Sequence, residues 1–235
     1  FFAKEGTTSW HCSILTDTEE QTDWCIKEAV KHYETNTAAG QPHGNCADLM
    51  GIHLEGPFLA SEYKGAMPEY LLRTADMPLL KHYQETAGGF IHYITVSPEV
   101  AGIPEHVKDI MRWASKWLSV IPVRIMPHPG NVSMPVQQPQ PIHLMRCACS
   151  ISMSRPSWVR FLNRMYTAKL FAMADIFIRV LSVSFEMKGY DRVIAITDSI
   201  MAAGLPDGNY KLGVNDVIVE EGDAKLKDGT RAGST

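Results

Sequence analysis

The sequence contains no apolar run approaching the roughly 20 residues that a membrane-spanning helix needs, so it offers no candidate span. It lacks an initiator methionine, and its opening, Phe1 Phe2 Ala3 Lys4, does not follow the pattern of a signal peptide. The expectation is a cytoplasmic protein without its natural N-terminus. Cysteine is scarce and unpaired in pattern: Cys12, Cys25, Cys46, Cys147 and Cys149 are odd in number and form no CxxC. Neither a disulfide framework nor a structural zinc is implied. Nothing in the composition resembles collagen, a coiled coil or a disordered tail. With 45% hydrophobic and 20% charged residues, the 235-residue chain has room for one large domain or two small ones.

Acidic residues are missing from one long stretch. Between Leu118 and Phe185 there are seven Lys/Arg and one acid, Asp175, so 25 of the 26 acidic residues lie elsewhere. The same stretch holds seven of the 14 prolines and six of the 12 methionines. A basic block in a chain of net charge −4 raises the question of a nucleic-acid partner. The block has neither regular basic spacing nor an aromatic stacking pattern, so no nucleic-acid partner is expected.

Around the block, short apolar runs alternate with amphipathic stretches. Strands are expected at Thr7 to Leu15, Met50 to Leu54, Phe90 to Val96 and Arg192 to Thr197. A helix is expected at Glu19 to Tyr33, with Trp24, Ile26, Ala29 and Val30 on its apolar face. A second should run from Glu105 to Trp117, burying Val107, Ile110, Met111 and Ala114. Strands alternating with helices imply an α/β fold with a parallel sheet or barrel. From Asn209 to Lys227, short strands broken by Gly, Asp and Asn turns predict an antiparallel excursion.

Two acids stand where a strand meets its loop. Glu55 follows Met50 to Leu54, and Asp198 follows Arg192 to Thr197. In a (β/α)8 barrel such strand ends carry catalytic groups. Glu55 could bind a metal or act as a base, or merely anchor a loop. Asp198 could be a general base, or an N-cap for the Ile200 to Ala203 segment.

Several strings narrow this choice. GIHLEGPFLASEYKGA (Gly51 to Ala66), ITVSPE (Ile94 to Glu99) and ITDSIMAAGLPDGNYKLG, followed by GTRAGST, resemble the N-acetylglucosamine-6-phosphate deacetylases of the amidohydrolase superfamily. The resemblance covers Phe2 to about Trp117 and Met187 to Thr235, leaving 118–185 unmatched. It implies one partial (β/α)8 barrel over 1–235, incomplete at both ends, that removes acetate from N-acetylglucosamine 6-phosphate. On matching positions, Glu55 would be a metal ligand and Asp198 the catalytic aspartate. Ala66, Arg231, Ala232 and Gly233 would contact the sugar. A divalent ion, zinc or similar, would polarise the acetamide carbonyl and acidify a water, while Asp198 carries the proton to the leaving amine. A homodimer is implied as well. Two departures stand out: the family's KGAH is here Lys64 Gly65 Ala66 Met67, and its leucine before AlaGly is Arg231.

The resemblance also implies two histidine ligands, an HxxNAM stretch and phosphate-binding residues between Glu55 and Asp198. As written, the block shows none; His128 and His143 fit loop and packed positions. A shifted reading frame would account for this. With codons rebuilt from the third base of one residue and the first two of the next, Pro141 to Ala148 permits HxLNAMR. In the same frame Met153 to Arg160 permits EPxIVGA and Ala172 to Arg179 permits DGxHIHP, with glycine forced at Trp158/Val159 and at Met173/Ala174. The literal chain, short of metal ligands, is then expected to be inactive. Competing readings are a divergent insertion, a noncatalytic sugar-phosphate-binding protein, and another amidohydrolase such as a D-amino-acid deacylase.

Overall fold

A computed structural model describes residues 2–37, 46–113, 117–120, 142–144, 168–171, 193–196 and 198–235. The architecture is α/β, in two compact units: 1–61 with 67–118, and 62–66 with 119–235.

The first unit starts with β1 (Ser9–Leu15), α1 (Glu19–Thr37) and β2 (Asp48–Glu55). It continues through α2 (Met77–Thr86), β3 (Ile91–Val96) and α3 (Ile103–Trp113) to β4 (Trp117–Val120), at the boundary between the units. The strands lie in the order β1-β2-β3-β4, and β1, β2 and β3 run parallel. Parallel strands need crossover connections, and the helices supply them. The two faces of the sheet differ in chemistry. Ile52 and Leu54 of β2, Ile94 and Val96 of β3, and Ile14 of β1 are buried and apolar. The alternate positions His11, Ser13, Gly51, His53, Glu55, Tyr93 and Thr95 form a polar face, as the period-two geometry of strands requires.

α1 fits its expected start but buries a different stripe. Thr22, Ile26 and Ala29 face inward, while Trp24 is 58% exposed. Trp24 is two residues from both Thr22 and Ile26, about 200° round a helix, so it cannot share their face. α2 had no counterpart in the sequence reading. It begins where the Asp76 carboxylate accepts from the Leu79 amide at 3.0 Å, with Pro78 in the first turn. α3 ends earlier than Trp117, which instead opens β4; Ile103 and Ile110 are its fully buried residues.

The second unit contains β5 (Ile142–Leu144) and the parallel pair β6 (Ala168–Phe171) and β7 (Val193–Ile196). It ends in an antiparallel sheet of β8 (Gly208–Leu212), β9 (Asn215–Glu220) and β10 (Asp223–Leu226), the excursion expected from the turn residues. Val217, Val219 and Ala224 from this sheet pack with Ala202 and Ala232 as a small core. Among the described residues, no helix is long and apolar enough to cross a membrane.

Candidate functional site

Glu55 is the last residue of β2, in register with Leu15 of β1 and Thr95 of β3. Its carbonyl accepts from the Thr16 hydroxyl at 2.8 Å, and the next amide, Gly56, donates to the Thr95 carbonyl at 3.1 Å. The half-buried carboxylate is thus carried on a backbone held from both neighbouring strands. Only glycine suits position 56. Its φ is +88°, and a Cβ there would lie 2.1 Å from Thr16 Oγ1.

Two residues earlier on the same face, His53 is 3% exposed. One ring nitrogen, Nδ1, lies 2.9 Å from Ser13 Oγ and the other, Nε2, 2.8 Å from Thr95 Oγ1. Its ring stacks on Tyr93 at 4.0 Å with an 11° tilt. Burial, and then the negative charge of Glu55, push the Tyr93 phenol well above its ordinary range, against a hydrogen bond with Ser13. Tyr93 therefore stays neutral beside the acid. His53 is not among the site residues expected from the sequence. The available signal was the spacing in His53 Leu54 Glu55, which puts histidine and glutamate on one face of a strand.

A water-sized cavity adjoins this strand end, with Thr16, Asp17, Glu55, Gly56 and Arg73 in its wall. The Arg73 guanidinium is engaged by Glu19 at 2.5 Å and stands 3.7 Å from Asp76.

In the second unit, Asp198 adopts φ +55°, a left-handed conformation that aspartate tolerates better than most residues. Met201 to Gly204 form turns, so Asp198 does not cap a helix. Its backbone pairs with the end of the chain: Ser234 N donates to Asp198 O at 2.8 Å, and Ile200 N to Ser234 O at 3.0 Å. Gly233, at φ +76°, passes so close that a Cβ would meet Ile200 Cγ2 at 2.5 Å and Asp198 O at 2.7 Å. Although Asp198 reaches the surface, the protein atoms around its carboxyl desolvate it and raise its pKa above the usual carboxylate value.

The other expected sugar contacts gather in the same unit. Ala232 is fully buried, and its amide donates to Ala224 O at 3.0 Å. Arg231 is half exposed, 3.8 Å from Asp223. The Ala66 carbonyl accepts from Asn215 Nδ2 at 2.7 Å. Asp198 and Gly233 are thus brought together, and Ala232, next to Gly233 in sequence, belongs to the small core.

Among the described residues, no group of three or more His, Cys, Asp or Glu is arranged to hold a metal. His128 and the stretches Met153 to Arg160 and Ala172 to Arg179 lie outside the described residues, as does all of Pro141 to Ala148 except the backbone of β5.

No protein-family model matches the chain. The N-acetylglucosamine-6-phosphate deacetylase of Bacillus subtilis (strain 168) is 30% identical over 247 residues, covering 98% of this chain and 58% of its own. That of Lysinibacillus sphaericus is 27% identical, with the same two coverages. Among solved structures, a mutant N-acetyl-D-glucosamine-6-phosphate deacetylase from Mycobacterium smegmatis, in complex with N-acetyl-D-glucosamine-6-phosphate, superposes with a TM-score of 0.68 at 20% identity. That superposition covers 97% of this chain and 58% of the neighbour, so the chain spans little more than half the length of the relatives it matches. Along 98% of its length the chain is similar to the N-acetylglucosamine-6-phosphate deacetylase of Bacillus subtilis, and its α/β fold is that of the solved Mycobacterium smegmatis structure.

Proposed function

We propose that the chain is part of an amide hydrolase that converts N-acetylglucosamine 6-phosphate to glucosamine 6-phosphate and acetate, on a (β/α)8 barrel of amidohydrolase type. The observation that carries this reading is the pair of strand-end acids, Glu55 and Asp198, in a chain homologous to such enzymes along nearly all its length. In the reaction, water adds across the amide: its oxygen bonds to the acetyl carbon, and its proton passes by way of Asp198 to the departing amine. The desolvated Asp198 carboxyl supports that role, because a raised pKa makes the carboxylate a stronger base towards water while it can still yield the proton to a far more basic departing amine. Ala66, Arg231, Ala232 and Gly233 would line the sugar.

Glu55 would supply one carboxylate to a divalent metal ion. The described residues do not complete a ligand set around it. The reading carries with it a sugar-phosphate substrate, a cytoplasmic location and a homodimer.

The stretch 118–185 belongs to the same proposal as a segment translated out of frame. The literal chain then turns over little or no substrate, and a frame-restored, full-length protein releases acetate from N-acetylglucosamine 6-phosphate. Sequencing the underlying DNA tests the frame: an uninterrupted frame encoding the block as written would refute it. Acetate release by the restored protein tests the activity, and its failure with a metal-loaded, folded protein would overturn the assignment.

A further inference from the structure

Three strands of the first unit place two histidines side by side at a point where the middle strand has no side chain. His11 of β1 is in register with Gly51 of β2. On the other side, the pairing of β2 with β3 slips by one residue: Ile52 pairs with Ile91, but His53 pairs with Tyr93. His92 is the extra residue of that bulge, and bulges re-aim the side chain they carry. Its ring lies directly over Gly51, where a Cβ would sit 2.3 Å from His92 Nδ1 and 2.6 Å from Cγ. Across this notch the His11 and His92 rings stand 5.8 Å apart, centre to centre, at 66°. Tyr93 packs on His11 at 5.4 Å and Phe90 on His92 at 5.4 Å, giving the pair an aromatic wall.

That separation has a chemical meaning. A zinc-class ion bonds an imidazole nitrogen at about 2.0–2.1 Å, which places it roughly 3 Å from the ring centre. Two imidazoles sharing one ion at an open angle therefore have centres roughly 5–6 Å apart. Both residues are half-buried, so solvent reaches the pair and the coordination can be completed by water. Nitrogen donors of this kind select late first-row divalent ions over magnesium or calcium. The pair is distinct from the candidate catalytic acid, since Gly51 and Glu55 are four residues apart on β2, about 13 Å at strand spacing.

We propose that His11 and His92, meeting over the Gly51 notch, form a binding site for one Cu2+- or Zn2+-class cation. The site is independent of the deacetylase reading and of the segment 118–185. Its simplest rival is aromatic packing alone.

Cu2+ titrated into the purified 235-residue chain, followed by calorimetry and by electron paramagnetic resonance, tests it. The expected result is one site per chain with two-nitrogen hyperfine structure. His11→Gln and His92→Gln should each weaken binding at least tenfold, as should Gly51→Ala by displacing the His92 ring. His82→Gln should leave the affinity unchanged. Because a substituted chain can fail to fold, acylation of histidines with diethyl pyrocarbonate in the unmodified chain provides a second reading. Zn2+ should protect His11 and His92 together. Unchanged affinity in both Gln variants, or a lack of joint protection, would leave packing as the only role.

Discussion

Ser234 donates its amide proton to the carbonyl of Asp198 at 2.8 Å, and the Ile200 amide returns the bond to Ser234 O at 3.0 Å. This two-way pairing holds an aspartate in a left-handed conformation that costs on the order of 1 kcal/mol or more for a residue with a Cβ. The backbone of the candidate catalytic acid is therefore shaped by residues 36 positions further along the chain.

Gly233→Ala should expose this dependence. Its Cβ would collide with Asp198 O and Ile200 Cγ2, and its φ of +76° disfavours any side chain. The expected cost is about 1–3 kcal/mol. Urea unfolding followed at the antiparallel sheet would measure it, and an unchanged midpoint would mean that the strap does not hold Asp198.

In the frame-restored enzyme, Asp198→Asn should lower kcat by about 10²–10⁴-fold, the usual range for a lost proton-transfer group. Glu55→Gln should lower bound metal along with turnover. Wild-type kcat in Asp198→Asn, or full metal content in Glu55→Gln, would remove the corresponding role.

His53→Ala should destabilise the first unit by about 2–4 kcal/mol, because it opens a cavity and removes one hydrogen-bond partner of the fully buried Thr95 hydroxyl. His53→Gln, which can keep one of the two bonds, should lose less. Thermal unfolding of both variants gives the comparison, and equal losses would assign the effect to volume alone.

Asp216 provides a pH test. Hydrogen bonds from Lys211 at 2.6 Å and Lys227 at 3.0 Å hold its carboxyl at about 2, below the ordinary 3.8. A carboxylate with a lowered folded pKa contributes stability that is fully present above 3.8 and lost as pH falls towards 2. Lys211→Ala should raise the Asp216 midpoint in an NMR titration, and added salt should do the same because the group is exposed. A midpoint indifferent to both would mean the lysines do not act on it.

Much of the first unit was legible because β2 and β3 contain short apolar runs and α1 starts with Glu19 and Glu20. The antiparallel sheet was legible from its glycine and aspartate turns. α2 escaped notice because Asp76 and Pro78 mark its start but His82, Gln84 and Glu85 dilute its apolar stripe. Trp24 misled because hydrophobicity alone does not fix which side of a helix a residue occupies. Glu55 and Asp198 could each be found as an acid that follows a strand. The notch at Gly51 and the strap at Ser234 could not, since both depend on register and on contacts between residues distant in sequence.

The hydrogen bond from Asn215 to Ala66 joins residues 149 positions apart within one unit. At the usual ~5–20 residues per second of protein synthesis, Ala66 leaves the ribosome roughly 7–30 seconds before its partner exists. Through that interval the Ala66 carbonyl cannot make this bond. A ribosomal pause, chaperone or protease that acts in that window meets the growing protein before residues 62–66 have their partner strand.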